Sequence, residues 1–408
     1  AGNFTMIDRV SSNQVYRTGI GSILEAQSQL SRIQEQVASG KRIQNPSDDP
    51  TAAAEIVRLR SELNRVESYQ RTADRAISSL SFEESAVAGA ESVLQRAREL
   101  AVQGANTAAM TASDREVLAS EIDGLRESLL NIGNTRNADG EYIFAGDNVN
   151  TAAFSEAAGA VTYNGSGGPR LVNIASGIRL QINDTGAELF QSAAAGNGAF
   201  EVSAATTNTG TGIVGATGYD NTFSGTENYT ITFSTGGAGQ LQYAITGSTS
   251  GAIGVAQDFV SGEDITFAGA TINIGGEPKA GDTFAVTAGG TQSAFDTLTE
   301  LSAALRSGGS AATDAQRATA LGQALQNIDA SLGQINKVRT DLGARMNRVE
   351  EQISLNASFN LQVQSTISKL EDLDFATAVT ELNLQLVALE AAQQTYIKTQ
   401  GISLFNYL

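Results

Sequence analysis

The sequence predicts a mainly α fold with an inserted β domain: a long antiparallel helical bundle and coiled-coil rod built from both chain ends, plus an outer, glycine-rich, all-β domain. Three observations carry this. Apolar residues recur at alternating spacings of three and four through the outer parts of the chain. The segment 151–290 holds 26 of the 42 glycines and only three basic residues, Arg170, Arg179 and Lys279. Only four prolines (Pro46, Pro50, Pro169 and Pro278) stand in 408 residues, so long helices are little interrupted.

The first terminal stripe is Ile20, Ile23, Gln27, Leu30 and Val37, ended by Gly40. Next comes Asn-Pro-Ser-Asp-Asp-Pro at 45–50. Pro50 suits a first helical turn, and Asp48 and Asp49 suit the positive end of a helix dipole. The following helix reads Ile56, Leu59, Leu63, Val66, Ala73, Ile77 and Leu80, weakens at Glu84, resumes at Val87, Leu94 and Ala97, and is expected to stop at Gly104. Another opens on a capping box, Ser113 to Glu116, with the seam Leu118, Ile122, Leu125, Leu129 and Ile132. Asn137 to Gly140 has turn chemistry.

In the glycine-rich part, alternating or β-branched runs predict strands at Val161–Tyr163, Ile178–Ile182, Tyr229–Ser234, Leu241–Thr246, Ile265–Ala268, Thr271–Ile274 and Thr283–Val286. The Ala/Gly/Thr run 203–218 is poor in core-forming residues and reads as loop.

The late helix has the clearest period. It opens on a second capping box, Thr313 to Gln316, and its seam runs from Leu321 through Ile328, Ile335, Leu342 and Val349 to Leu370. A continuous helix over that seam would be about 75 Å long. Arg339 lies in the seam, where it either pairs with an acid such as Glu62 or Glu67 or packs its stem and leaves its head in water. The last stripe is Phe375, Val379, Leu382, Leu386, Leu389, Gln393 and Tyr396. Residues 1–40 and 371–408 are therefore read as a terminal coiled-coil assembly domain, 41–150 and 291–370 as a helical rod, and 151–290 as the outer β domain.

The two terminal stripes have two possible partners, each other or neighbouring subunits. A short isolated terminal helix is marginal in water. The expectation is that these twelve residues form an assembly interface and that the ends order mainly on assembly, with Gln27 and Gln393 as polar positions that set register. The other helical stripes are expected to pack within one subunit.

Charge and composition exclude several function classes. The chain carries 26 Lys+Arg against 44 Asp+Glu, a formal net charge of −18. That balance argues against nucleic acid and against an anionic membrane surface as partners. No apolar run approaches the roughly 20 residues of a membrane span. There is no histidine and no cysteine, so Ser-His-Asp and Cys-His catalysis, imidazole metal sites and disulfides are absent. No enzyme activity, metal or cofactor is predicted. The N-terminus shows no basic stretch followed by an apolar one, so no cleavable secretory signal is expected. Residues 1–5, before Met6, carry no reading.

Three motifs look sharper than they are. Gly210-Thr-Gly-Ile-Val-Gly215 matches the dinucleotide fingerprint, but no apolar strand precedes it and no helix is predicted after it. Thr135 to Gly140 looks like half a calcium loop, yet Thr135 stands at the first ligand position and Gly146 at the twelfth, so the bidentate acid is missing. Asp48 and Asp49 form a carboxylate pair without a partner base, better explained by a helix start.

Several segments resemble the flagellin superfamily: Ala38-Ser-Gly-Lys-Arg-Ile-Gln-Asn-Pro-Ser-Asp-Asp-Pro-Thr-Ala-Ala-Ala54, Arg98 to Thr107 with the helix after it, Leu342-Gly-Ala-Arg-Met-Asn-Arg348, and Leu370 to Gln400. Asn-Pro-Ser-Asp-Asp-Pro, Glu141-Tyr-Ile-Phe-Ala-Gly146, Gly276 to Val286 and the ending Gly401 to Leu408 are similar to its hook-associated branch. The resemblance implies a structural adaptor, exported by the flagellar type III apparatus with a chaperone's help and placed outside the cell on the bacterial flagellum. It implies a ring-like layer of copies that joins the hook, through another hook-associated protein, to flagellin. Filament flagellin itself, or a surface-exposed adhesive protein acting through the β domain, are the competing readings. Limited proteolysis of the isolated protein should trim both ends toward a core of roughly 45–365, because weakly ordered termini are cut first; intact ends would count against assembly-dependent ordering.

Overall fold

A computed structural model describes residues 12–106 and 110–405. The readings of residues 1–5, of Thr107 and of 406–408 lie outside them. The chain order is helix α1 (Ser12–Ser39), α2 (Pro50–Ala105) and α3 (Ala112–Gly133), then strands β1 (Phe154–Ala157), β2 (Ala160–Tyr163), β3 (Leu171–Ala175) and β4 (Ile178–Gln181). A short helix α4 (Gly186–Phe190) precedes β5 (Ala193–Ala194), β6 (Phe200–Ala204), β7 (Ile213–Tyr219), β8 (Tyr229–Thr235), β9 (Leu241–Gly247) and β10 (Gly251–Asp258). The strands β11 (Asp264–Phe267), β12 (Ala270–Gly275), β13 (Thr283–Ala288) and β14 (Thr291–Gln292) follow. Helices α5 (Ala294–Arg306), α6 (Ala311–Glu371) and α7 (Phe375–Phe405) end the described chain. A mainly α fold with an inserted, multi-stranded β region is thus what the sequence builds.

Several local readings shift. Helix α3 is capped two residues earlier than the Ser113 box: Thr111 is the N-cap, its side chain accepting Asp114 N–H at 3.2 Å while the Asp114 carboxylate accepts Thr111 N–H at 2.9 Å. The acid closes the box as well as a glutamate would, because the reciprocal bond needs only a carboxylate in the first turn. At α6 the reciprocal pair is Ser310 with Thr313, not Thr313 with Gln316; Gln316 instead reaches out to the carbonyls of Ala205, Thr206 and Asn208. Gly104 does not stop α2. It sits in the last turn, where a Cβ would meet Leu305 Cδ2 at 2.4 Å, so its role is to admit that side chain. The run 203–218 is not all loop, since it holds the end of β6 and most of β7. Arg339 pairs with Glu84 and Glu91, each at 2.8 Å, not with Glu62 or Glu67.

The chain forms two compact units: a terminal unit, Ala1–Arg71 with Ile353–Leu408, and a central unit, Thr72–Gln352. In the central unit the helical core takes Val87, Leu94 and Leu100 from α2, Leu118, Ile122 and Leu129 from α3, Phe295, Leu298 and Leu301 from α5, and Leu321, Ile328 and Ile335 from α6. The stripes read as intramolecular do pack on one another. Helix α5 is an unannounced partner, capped by Ser293 and amphipathic through Phe295, Leu298, Leu301 and Leu305. Fully burying such a side chain is worth about 1.5–3 kcal/mol, and that gain outweighs the modest helix propensity of these segments.

The lower end of this core is aromatic. Phe154 packs on Phe190 and Phe295 with ring centroids 5.6 and 5.0 Å away, and Phe144 meets Phe190 edge-on at 5.7 Å. Glycines make room: a Cβ on Gly133 would stand 2.8 Å from the Phe154 ring, and one on Gly186 would stand 2.7 Å from it.

The strands between residues 200 and 288 bury a second core between two antiparallel sheets, ordered β10-β9-β8-β13-β6 and β11-β12-β7. Alternation puts Tyr229, Ile231 and Phe233 of β8 inside with Ala270, Ile272 and Ile274 of β12. Polar side chains of α6 tie this region to the bundle. Thr319 accepts Val214 N–H at 3.2 Å, Asn327 accepts Gly196 N–H at 2.7 Å, and Gln323 donates to Glu201 at 2.9 Å.

Phe154→Ala should destabilise the central unit by about 3–5 kcal/mol, the usual cost of removing a core phenylalanine. Urea unfolding followed by tyrosine fluorescence would show it as a lowered midpoint. An unchanged midpoint would mean that the aromatic cluster is not the structural centre assigned to it.

Candidate assembly interface

The candidate site lies in the terminal unit and is built by a chain crossing. Helix α1 ends at Ser39, Gly40 takes φ +69°, and the chain turns back over the end of α6. There Arg42 N–H donates to Glu371 O at 2.7 Å, Leu373 N–H donates to Gly40 O at 3.0 Å, and the Arg42 guanidinium reaches Leu370 O at 2.7 Å. Carbonyls that a helix end leaves without intrahelical partners are satisfied in this way by residues more than three hundred positions away. Ile43, Ala52 and Ile56 close a small apolar cluster with Ile367 and Leu370.

Glu371 is the centre of the crossing. It is 7% exposed, and its carboxylate takes Lys41 at 2.5 Å and Arg60 at 2.6 Å. Burial opposes its ionisation, but the hydrogen bonds from Lys41 and Arg60 and their charges outweigh burial and hold the carboxyl below its usual range. Asp48 and Asp49 work beside it as structural acids. Asp48 accepts Gln44 N–H and Asn45 N–H and pairs with Arg32 at 3.2 Å, while Asp49 accepts Ala52 N–H at 3.0 Å in the first turn of α2. The backbone N–H bonds, more than Arg32, keep Asp48 low. Asp374 does the same for α7, accepting Ala376 N–H and Thr377 N–H.

The crossing sends α7 back along α1, and the two helices pack on each other. Gly40 meets the Phe375 ring, and a Cβ on Gly19 would stand 3.0 Å from Tyr396 Cδ2. The same number of residues separates these two contacts on each helix, so the pair is antiparallel and in register. Of the two partners open to the terminal stripes, each other is therefore one that they have.

The pairing covers only part of the apolar surface. Ile20, Ile23, Leu30 and Val37 of α1 and Leu382, Leu389 and Tyr396 of α7 are half-buried. Gln27, Phe375, Val379, Leu386 and Gln393 stay exposed. Ile33 and Ala378, which the stripe reading passed over, are buried. Four large apolar residues outside the stripes are open to solvent: Leu24 (59%), Leu384 (65%), Val387 (64%) and Ile397 (68%). Between Phe375 and Phe405 only Glu381, Glu390 and Lys398 carry charge. A helix apolar on both faces has more surface to cover than one antiparallel neighbour can reach.

The other motifs are structural. Asp282 is buried and accepts Thr209 N–H at 2.8 Å, Gly210 N–H at 3.0 Å and Lys279 N–H at 2.8 Å. The chain's own carboxylate therefore fills the place a phosphate would take at Gly210, and a strand follows the motif instead of a helix. Asn137 Oδ1 accepts Asp139 N–H and Glu141 N–H, so its oxygen closes a turn. Among the described residues no group of three or more His, Cys, Asp or Glu side chains could hold a metal ion, and no helix is long and apolar enough to cross a membrane.

Comparison with known proteins agrees with this arrangement. The pattern of the bacterial flagellin N-terminal helical region matches residues 10–149, and that of the bacterial flagellin C-terminal helical region matches residues 325–408. The chain belongs to the flagellin family. Within it, the chain is similar to hook-associated members and to flagellins, among them Flagellin A of Vibrio cholerae. The chain is 26% identical to flagellar hook-associated protein 3 of Escherichia coli strain K12 over 402 residues, covering 98% of this chain and 99% of that one. The crystal structure of flagellar hook associated protein-3 from Legionella pneumophila matches with a TM-score of 0.74 and 31% identity, over 77% of this chain and 98% of that one. A crystal structure of the flagellar junction protein FlgL from the same organism matches with a TM-score of 0.71 and 31% identity, over 78% of this chain and all of the other.

A carboxyl held low in the fold contributes stability that is present above the ordinary carboxyl range and is lost as pH falls. Acidification should therefore open the crossing, and Glu371→Gln should open it at neutral pH, at a cost of about 1–3 kcal/mol for the charge-assisted bonds lost. Protease cleavage within residues 40–49 would report the opening. Equal cleavage rates for Glu371→Gln and the native chain at pH 7 would refute the role given to Glu371.

Proposed function

We propose that this chain is a non-enzymatic structural adaptor of the bacterial flagellum that joins the hook to the flagellin filament. The observation that carries the reading is the α1–α7 pair: in register inside one subunit, yet with Leu384, Leu386, Val387 and Ile397 open to solvent on a nearly uncharged helix. Such a surface calls for further helices of the same kind. The likeness to hook-associated protein 3 supplies the setting.

In this proposal the twelve stripe residues serve in assembly in two ways. Ile20, Ile23, Leu30, Val37, Leu382, Leu389 and Tyr396 keep the helix pair together. Gln27, Phe375, Val379, Leu386 and Gln393 face neighbouring subunits. Copies of the chain form a ring-like layer, with a neighbouring hook-associated protein on one side and flagellin on the other. The protein reaches its extracellular position through the flagellar type III apparatus, accompanied by an export chaperone. Residues 1–40 with 371–408 act as the assembly domain, 41–150 with 291–370 as the rod, and 151–290 as an outward module.

Leu386→Pro tests the reading. Proline inside a helix costs about 3 kcal/mol or more and breaks the apolar face. The variant should keep a folded β region, seen as native-like strand circular dichroism, but fail to retain filaments on cells. Normal filaments on cells carrying the variant would defeat the proposal. Deleting the gene separates adaptor from filament subunit: loss of an adaptor should release flagellin monomers into the medium, whereas loss of a sole flagellin should leave nothing to release.

A further inference from the structure

The central unit buries two carboxylates against one guanidinium. Glu83 on α2 is 1% exposed, Asp184 lies just before α4, and Arg345 comes from α6; all three are buried. The Arg345 guanidinium binds the Asp184 carboxylate, and Glu83 Oε1 accepts Asp184 N–H at 2.6 Å. Glu83 Oε2 and Arg345 Nη1 have no hydrogen-bond partner among the described residues. Glu83 also lines a cavity of about 20 Å³ with Ser79, Asn137, Ile143, Arg170, Ile182 and Asn183. Arg170 is the other charged group on that lining, and its guanidinium is already paired with Glu141 at 2.8 Å.

Charge decides what this cluster can do. With both acids ionised, it holds a net negative charge in a nearly dry site, and one guanidinium offsets only one of them. An unpaired buried charge is among the most expensive features a fold can contain. A proton on Glu83 brings the cluster to neutrality without moving a side chain.

We propose that Glu83 is a proton-operated latch: protonated, it holds the segment Asn183–Phe190 against α2 and α6, and ionised, it lets that segment go. The local bonding makes the segment the part that responds. Its Asp184 carries both the N–H that Glu83 accepts and the carboxylate that repels an ionised Glu83, and Thr185 beside it caps α4. Burial first, and the Asp184 charge second, push the Glu83 carboxyl up to about 8, while Asp184 N–H and Arg345 pull the other way. Because the folded-state value is raised, the latch is at full strength below the ordinary carboxyl range. It weakens as pH rises from there to about 8, and it changes no further above that.

Hydrogen exchange on the full chain, corrected for the intrinsic pH dependence of exchange, tests this. Linkage to one proton makes opening of 183–190 rise about tenfold per pH unit between about pH 5 and 8, then level off, while α5 stays flat. In Glu83→Gln the segment should be flat throughout. Flat exchange in the native chain, or the same rise in Glu83→Gln, would overturn the latch. Should the variant fold poorly, carboxyl carbon NMR of the native chain decides: a Glu83 midpoint above about 7 supports the latch, and one below it overturns it.

Discussion

The terminal unit depends on one buried carboxylate that answers two cations from the far end of the sequence. The Lys41–Glu371–Arg60 contact adds a charge-assisted clasp to the backbone bonds, the Ile43–Ile56–Ile367–Leu370 cluster and the helix packing that return the chain along α1. The backbone bonds of Arg42 and Leu373 fix the crossing, but each is a single neutral bond of modest net worth. The ionic contact is what makes the turn expensive to undo, because a lone buried Glu371 would be left uncompensated. From that crossing follow the antiparallel register of α1 and α7 and the partition of their apolar residues into inner and outer sets. The interface proposed for assembly thus inherits its geometry from a residue that is not part of it.

The sequence is most legible where one period governs a whole segment. The seam from Leu321 to Leu370 and the strand Tyr229–Ser234 announce themselves because most inward positions are apolar, Arg339 and Asn356 being exceptions in the seam, and every step obeys the helix or strand repeat. Strand β10 is illegible for the opposite reason. It lies at a sheet edge, nearly every residue is exposed, and its register jumps between Ile253 and Gln257, so no alternation is required of it. Strand β7 hides in small residues because Val214 and its neighbours are supported by β12 and by Thr319 of α6. In the candidate site the half-buried members of the stripes are legible in the period, but Ile33, Ala378 and Glu371 are not. Three acids stand together at Glu371, Asp372 and Asp374, and only a crossing segment more than three hundred residues away decides which one is buried.

Asp48 and Asp49, the carboxylate pair noted in the sequence, have structural duties, as do two further aspartates. Asp48, Asp49, Asp282 and Asp374 each accept backbone N–H groups that a turn or helix start leaves without partners. The chain is rich in carboxylates, and these four are used as caps. Glu83 is the exception, since burial and a neighbouring like charge set it apart from a capping acid. The two interior glutamates respond to pH in opposite senses. Glu371 is secured by cations and fails toward acid, whereas Glu83 is crowded by an anion and fails toward alkali.

Strands β5 and β14 are only two residues each, yet they pair Ala194 with Thr291 and Ala193 with Gln292, and Ala195 N–H donates to Gly290 O just beyond them. The backbone enters and leaves the stretch between these residues at adjacent points, and Gln316, Thr319, Gln323 and Asn327 of α6 add polar contacts to it. A segment tethered at adjacent points can lengthen, shrink or be replaced while the helices that flank it keep their packing. The segment between β5 and β14 can therefore diversify in size and surface chemistry, away from its contacts with α6, at little cost to the scaffold, whereas adding or removing one residue in α1 or α7 would throw the whole pair out of step.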